Sequence, residues 1–145
     1  MAVTAAKVRA LEGATLRQAV ANATINMGDT FYIADDQDNI LPKVAQGDAN
    51  VSALIANVRG VVTAVSREGE TQALAGDGIT VCVFGPVAGF SGLTPGVRQF
   101  QSSTAGAITE TAPTGAGTWT APVGYAESDG VLFVLPGLQA PASNS

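Results

Sequence analysis

Three carboxylates crowd one short stretch, DDQDN at residues 35–39. Asp36 and Asp38, one residue apart, are the kind of oxygen donors that a calcium loop uses. Such a loop also needs Gly at its sixth position for the sharp turn and Glu at its twelfth to close the coordination sphere. Counting from Asp36, those positions hold Leu41 and Gly47; from Asp35 they hold Ile40 and Gln46. The pattern fails, and the stretch reads as a solvated hairpin turn. Other chemistry is equally constrained. The chain has no histidine, which removes Ser-His-Asp and Cys-His nucleophiles, His-bearing zinc sites and the commonest general base. Its one cysteine, Cys82, lies in ITVCVF between β-branched and aromatic residues and reads as a buried, inert thiol. GAGTW (115–119) is glycine-rich but is not followed by Lys-Ser/Thr, so it is no phosphate loop. Glu68 with Glu70, or Glu110 with Glu127, could supply the two acids of glycosidic cleavage, but their spacing singles out neither pair. Trp119, Tyr125 and Phe100 could stack on a sugar; with aromatics at only 6% of residues, packing in a core or interface is the better reading. The sequence therefore predicts no enzyme: no catalytic residue, no cofactor and no metal site.

The elements that would carry any function are β-rich. The chain has 145 residues, one domain's worth, of which 46% are hydrophobic and only 13% charged. Low surface charge suggests that a partner covers part of the outside. A net charge of −5 argues against a nucleic-acid partner, which needs clustered Lys and Arg. The charge is uneven: Lys7, Arg9 and Arg17 face only Glu12 within the first seventeen residues, while the remainder is strongly acidic. No apolar run reaches the ~18 residues needed to span a bilayer, so no membrane is expected, and MAVTAAKVRALEG lacks the apolar segment of a secretory signal.

Residues 1–12 read as an extended arm, 13–136 as one β-rich domain, and 137–145 as a mobile tail. TLRQAVANATI (15–25) is ambiguous. Leu16, Ala19, Val20 and Ala23 have helical spacing, and Thr15 with Gln18 imitates a capping box. TFYIAD (30–35) and ILPKVA (40–45) form a hairpin. NVSALIANV (50–58) suits a short helix capped by Asn50. RGVVTAVS, TQALA and ITVCVFGPV follow as strands, with GDG (76–78) as a tight turn. Thr94-Pro95-Gly96 fits a type II turn, Pro fixing φ at the first central position and Gly supplying φ > 0 at the second. VRQFQ and AITET flank the SSTAG loop, APTGAGTWTAP is a loop carrying the only Trp, and VGYAES and VLFVLP are the last strands.

A half-buried strand should alternate apolar and polar residues. GVVTAV, ITVCVF and VLFVL are instead apolar on both faces. A closed barrel hides one face; the other must meet a neighbouring subunit, a folded-over loop or a larger surface. This predicts an oligomer or a docked protein.

The order of the pieces carries a resemblance. KVRALEGATLRQAVANATINMGDTFYIADDQDNILPKVA is followed by GLTPGVRQFQSSTAGAITETAP and then PVGYAESDGVLFV. Over residues 7–135 this resembles the small head-decoration, or capsid-cement, proteins of tailed bacteriophages, most loosely from Ser66 to Gly92. The resemblance implies an all-β fold, a small β-barrel or β-sandwich, in which 15–25 is a strand. It implies a non-enzymatic protein on the outer surface of the virion, bound to the lattice of the major capsid protein as a homotrimer at three-fold or quasi-three-fold positions. The basic arm is the candidate contact, through Lys7, Val8, Arg9 and Leu11. Two other readings fit the composition: a tail-fibre or receptor-binding module for host surface glycans, and a subunit of the tail or head–tail connector.

Overall fold

The computed structural model describes residues 3–34 and 41–144, and the DDQDN turn lies outside them. The strands are β1 (Thr4–Ala10), β2 (Thr15–Ala21), β3 (Ile25–Asn26), β4 (Thr30–Ala34), β5 (Lys43–Gln46), β6 (Gly60–Val65), β7 (Gln72–Ala73), β8 (Gly78–Ser91), β9 (Arg98–Gln101), β10 (Ile108–Thr109), β11 (Thr118–Thr120), β12 (Pro122–Ala126), β13 (Val131–Val134) and β14 (Ala142–Asn144), with one helix, α1 (Ala53–Ala56), between β5 and β6. The fold is all-β, a closed five-stranded barrel with further strands packed outside it.

The barrel closes through β8–β2, β2–β5, β5–β4, β4–β6 and β6–β8, antiparallel except for β2–β5. Its interior holds Ala19, Ala21, Phe31, Val44, Val62, Ile79 and Val81. Ile25 and Ala73, from the paired β3 and β7, complete this core where β2 ends and β8 begins. Long-range pairing settles the 15–25 ambiguity. Arg17, Gln18 and Ala19 pair with Val81, Thr80 and Ile79 of β8, and each apolar residue fits the pleat of a strand rather than the stripe of a helix.

β8 spans 14 residues and serves two layers. Its first half is barrel wall. Its second half leaves the barrel to pair with β13 on one edge and β1 on the other. Gly85 sits at the change, with φ +111° and a position where a Cβ would lie 2.7 Å from Ala14 Cα, so no other residue fits without displacing backbone. The order β10-β9-β12-β13-β8 continues the outer sheet. Between it and the barrel lies a second core of Val61, Cys82, Val87, Phe90, Leu93, Ile108, Val123, Ala126, Leu132 and Val134, joined by Val8 and Val58.

This arrangement answers the two-faced strands. Val61 lies opposite Cys82 and Val62 opposite Val81; the first pair faces the outer core and the second the barrel interior. Each buried Val is worth roughly 1.5–3 kcal/mol, so both faces of β6 and of the start of β8 are satisfied inside one chain. The second face of these strands meets an outer sheet of the same chain, so they give no argument for a neighbouring subunit. VLFVL differs: Leu132 and Val134 turn inward, Phe133 turns out, and Leu135 beyond it is exposed.

Local details also depart from expectation. The helix is capped by Ser52, whose Oγ accepts from Ile55 N at 3.2 Å, while Asn50 donates its own N–H to Asp48. The expected loop around Trp119 contains β11, and the expected tail supplies β14, which pairs with it antiparallel. The Asn144 amide fixes that pairing, donating to Pro113 O at 2.6 Å and Thr118 Oγ1 at 3.1 Å. The expected arm is likewise strand β1, held along β8.

Candidate partner-binding surface

The residues expected to reach a partner sit on and just after β1, and the structure separates them. Val8 is 4% exposed and belongs to the outer core, so it contributes to the fold and offers no surface. Its backbone lies so close to β8 that a Cβ on Gly89 would come within 2.5 Å of Val8 Cα. Lys7, beside it, takes φ 53°, and the register with β8 shifts between Ala5 and Arg9. Alternation along the strand points Val8 inward and leaves Lys7 and Arg9 exposed on either side of it. Leu11 is half-buried, and its N–H donates to Pro86 O at 3.0 Å. Two of the four, Lys7 and Arg9, are thus presented to solvent, on a strand rather than on a loose arm. Clefts of about 330 and 380 Å³ flank this strand, both touching Ala5, Asn26 and Met27.

The first cleft reaches the Asp29 carboxylate, which joins β3 to β5. It accepts from Asn26 N at 2.8 Å and from Gln46 Nε2 at 2.6 Å. Burial raises its pKa above the ordinary carboxylate value, and these two hydrogen bonds only partly oppose that. Close by, the β9–β10 hairpin is pinned from both ends. Gln101, fully buried, accepts from the Thr30 hydroxyl and donates to Gly47 O and Ser102 O, each at 3.0 Å. At the other end Glu110 accepts from Thr94 N at 2.7 Å, Thr94 Oγ1 at 2.9 Å and Gln99 Nε2 at 3.1 Å. The Thr94 N–H, then the Gln99 amide, hold the Glu110 carboxyl below its ordinary range. The intervening turn is as expected, with Val97 N donating to Thr94 O at 3.0 Å and Gly96 at φ +83°. Glu110 is therefore a turn clamp, and the structure gives it no acid partner in Glu127.

The outer face of β12 and β13 carries an aromatic strip. Tyr125 stacks on Phe133 with ring centroids 5.2 Å apart, and Phe84 meets Phe133 edge-on at 5.1 Å. Phe84, Tyr125 and neighbouring Leu135 are exposed. The ring contacts thus join Tyr125 to Phe133 and Phe84 rather than to Trp119 and Phe100, which are half-buried on β11 and β9. Cys82 is buried, with burial raising its thiol pKa and its Sγ donating to Phe84 O at 3.3 Å. Among the described residues no group of three or more His, Cys, Asp or Glu converges on a metal position.

Sequence reading missed Thr30, Gln101 and the outward Phe133. Only Phe133 had a signal, as the aromatic residue of a strand apolar on both faces; Thr30 and Gln101 are far apart in the chain. Against known proteins, the chain matches no family model, no curated protein and no solved structure.

Proposed function

We propose that this chain is a capsid decoration protein: it binds the outer surface of an assembled phage head and stabilises it, as a trimer at three-fold or quasi-three-fold positions. The observation that carries the reading is the ordered run LTPG (93–96), SSTAGAI (102–108) and VGYAESDGVLFV (123–134), which resembles that family. In this chain the run builds the pinned β9–β10 hairpin and the β12–β13 pair bearing the aromatic strip. A rigid sheet with an exposed apolar strip suits a role that requires buried area rather than chemistry. Modest contacts per copy, repeated over a lattice, give high avidity. The exposed Lys7 and Arg9, on a chain of net charge −5, add a positive edge for an acidic neighbour. The test is sedimentation of the purified protein with expanded, undecorated shells: saturable co-sedimentation is expected, and none at saturating protein would end the proposal.

A further inference from the structure

The barrel has a second end, and it is built unlike a packed core. Toward this end of the barrel the inward positions of β2 run Ala21, Ala19, Arg17, so the third is a guanidinium where the first two are methyl groups. Ile33 of β4, Val83 of β8, and Pro42 and Arg59 just ahead of β5 and β6 lie at the same end, over a floor of Phe31, Val44 and Val81. Together they line a cavity of about 250 Å³. The floor residues are at most 2% exposed, whereas Ile33 at the rim is 48% exposed. Arg17 makes no hydrogen bond or ion pair with any described residue. Arg59 commits one N–H, Nη1 to Gly137 O at 2.9 Å, leaving the rest of its five-donor fork available. No acidic residue lines the cavity among the described residues.

We propose that this barrel mouth is a binding pocket for a small aliphatic carboxylate, the hydrocarbon resting on Phe31, Val44 and Val81 and the carboxylate meeting Arg17 and Arg59. Barrel mouths are a recurrent position for ligands, and a buried apolar floor under guanidinium groups with donors to spare selects for both halves of such a molecule. The volume lies below the ~300–1,000 Å³ of drug-sized pockets, which limits the ligand to a short chain. A guanidinium–carboxylate contact beside apolar walls is charge-assisted and directional, so the acid should be favoured over the alcohol of equal length. The pocket needs nothing from the capsid reading and stands or falls separately.

The test is a titration of the ¹⁵N-labelled chain with hexanoate, hexanol and acetate, followed by amide shifts. Hexanoate should give saturable shifts at Ile33, Val81 and Val83, binding about tenfold or more tightly than hexanol or acetate. Arg17→Gln should weaken hexanoate about tenfold, while Arg98→Gln, on β9, should leave it unchanged. The β4–β5 connection carries Asp35, Asp36 and Asp38 in its sequence. Equal binding of hexanoate and hexanol, or no saturable shift at these amides, would overturn the proposal, and that comparison needs no variant to fold.

Discussion

Thr30 and Gln101 offer the sharpest check on how the two layers are joined. Their side chains meet in a fully buried position, the Thr hydroxyl donating to the Gln oxygen. Thr30→Val leaves Gln101 Oε1 buried without a donor, at a cost of about 1–3 kcal/mol. Gln101→Leu orphans the Thr30 hydroxyl at a similar cost of about 1–3 kcal/mol. It also removes donors from Gly47 O and Ser102 O, but these keep backbone partners, Gly106 N at 2.8 Å and Ala49 N at 3.0 Å. In the double variant neither orphan exists, since two apolar groups of similar shape replace the pair. The combined cost should therefore fall short of the sum of the singles by about 2–6 kcal/mol, the two orphan penalties together. Urea unfolding followed by fluorescence of Trp119, the only Trp, reads this directly through midpoints at constant slope. Single-variant costs that add to within about 0.5 kcal/mol would show that the two side chains do not depend on one another, and the lock between β4 and the β9–β10 hairpin would have to be abandoned.

Other expectations follow from single groups. Burial raises the Asp29 pKa, so the folded state holds that proton more tightly than the unfolded one, and stability falls as pH rises from 3.8 through the folded value; Asp29→Asn should remove this fall and raise the urea midpoint at pH 7, and an unchanged or lower midpoint would contradict it. Glu110 is shifted the other way: its contribution is present above its unfolded value of about 4.5 and is lost as pH drops through the folded one, so wild type and Glu110→Gln should differ at pH 7 and converge in acid, as thermal melts across pH would show. Lys7→Glu with Arg9→Glu should lower occupancy on undecorated shells without moving the melting temperature, because both side chains are exposed; removing residues 1–12 should lower the melting temperature itself, because it takes away Val8 and the β1–β8 ladder. Cys82 should react with a thiol reagent only at the rate of unfolding, and prompt modification of the native protein would contradict its burial.

What was legible in the sequence was what local chemistry decides. Pro95 and Gly96 fix their turn because φ is set within those two residues, and the β4–β5 hairpin and the strand character of 60–65 and 79–87 follow from composition and punctuation. Illegible features depend on partners distant in the chain. Thr15 to Ala21 carries a helical stripe, yet β8, some sixty residues away, supplies a ladder on which the same residues alternate; without the resemblance, local rules would have chosen the helix. Val8 sits among Lys7 and Arg9 and looks like part of a solvated arm, and only the approach allowed by Gly89 brings it inside. APASNS has no periodicity, but one Asn amide and three ladder pairs are enough to hold it.

The two-faced strands show why such misreadings matter for function. From sequence, apolar residues on both faces of a barrel strand predict an oligomer or a docked protein. Here one strand, β8, walls a barrel with its first half and joins an outer sheet with its second, so the chain satisfies Val61, Val62, Val81 and Cys82 by itself. The demand for a partner then shifts to what remains uncovered after both cores close. That remainder is specific: Phe84, Tyr125 and Leu135 around Phe133 on one face, Lys7 and Arg9 on the bulged strand, and Arg17 at the barrel mouth. Phe84 belongs to ITVCVF, and Phe133 and Leu135 to VLFVL, two of the three stretches that suggested a neighbour, whereas GVVTAV contributes none. An assembly contact should therefore be sought where the apolar pattern survives folding. Substituting Phe133 or Tyr125 probes that surface, whereas substituting Val61 or Val62 perturbs only the cores.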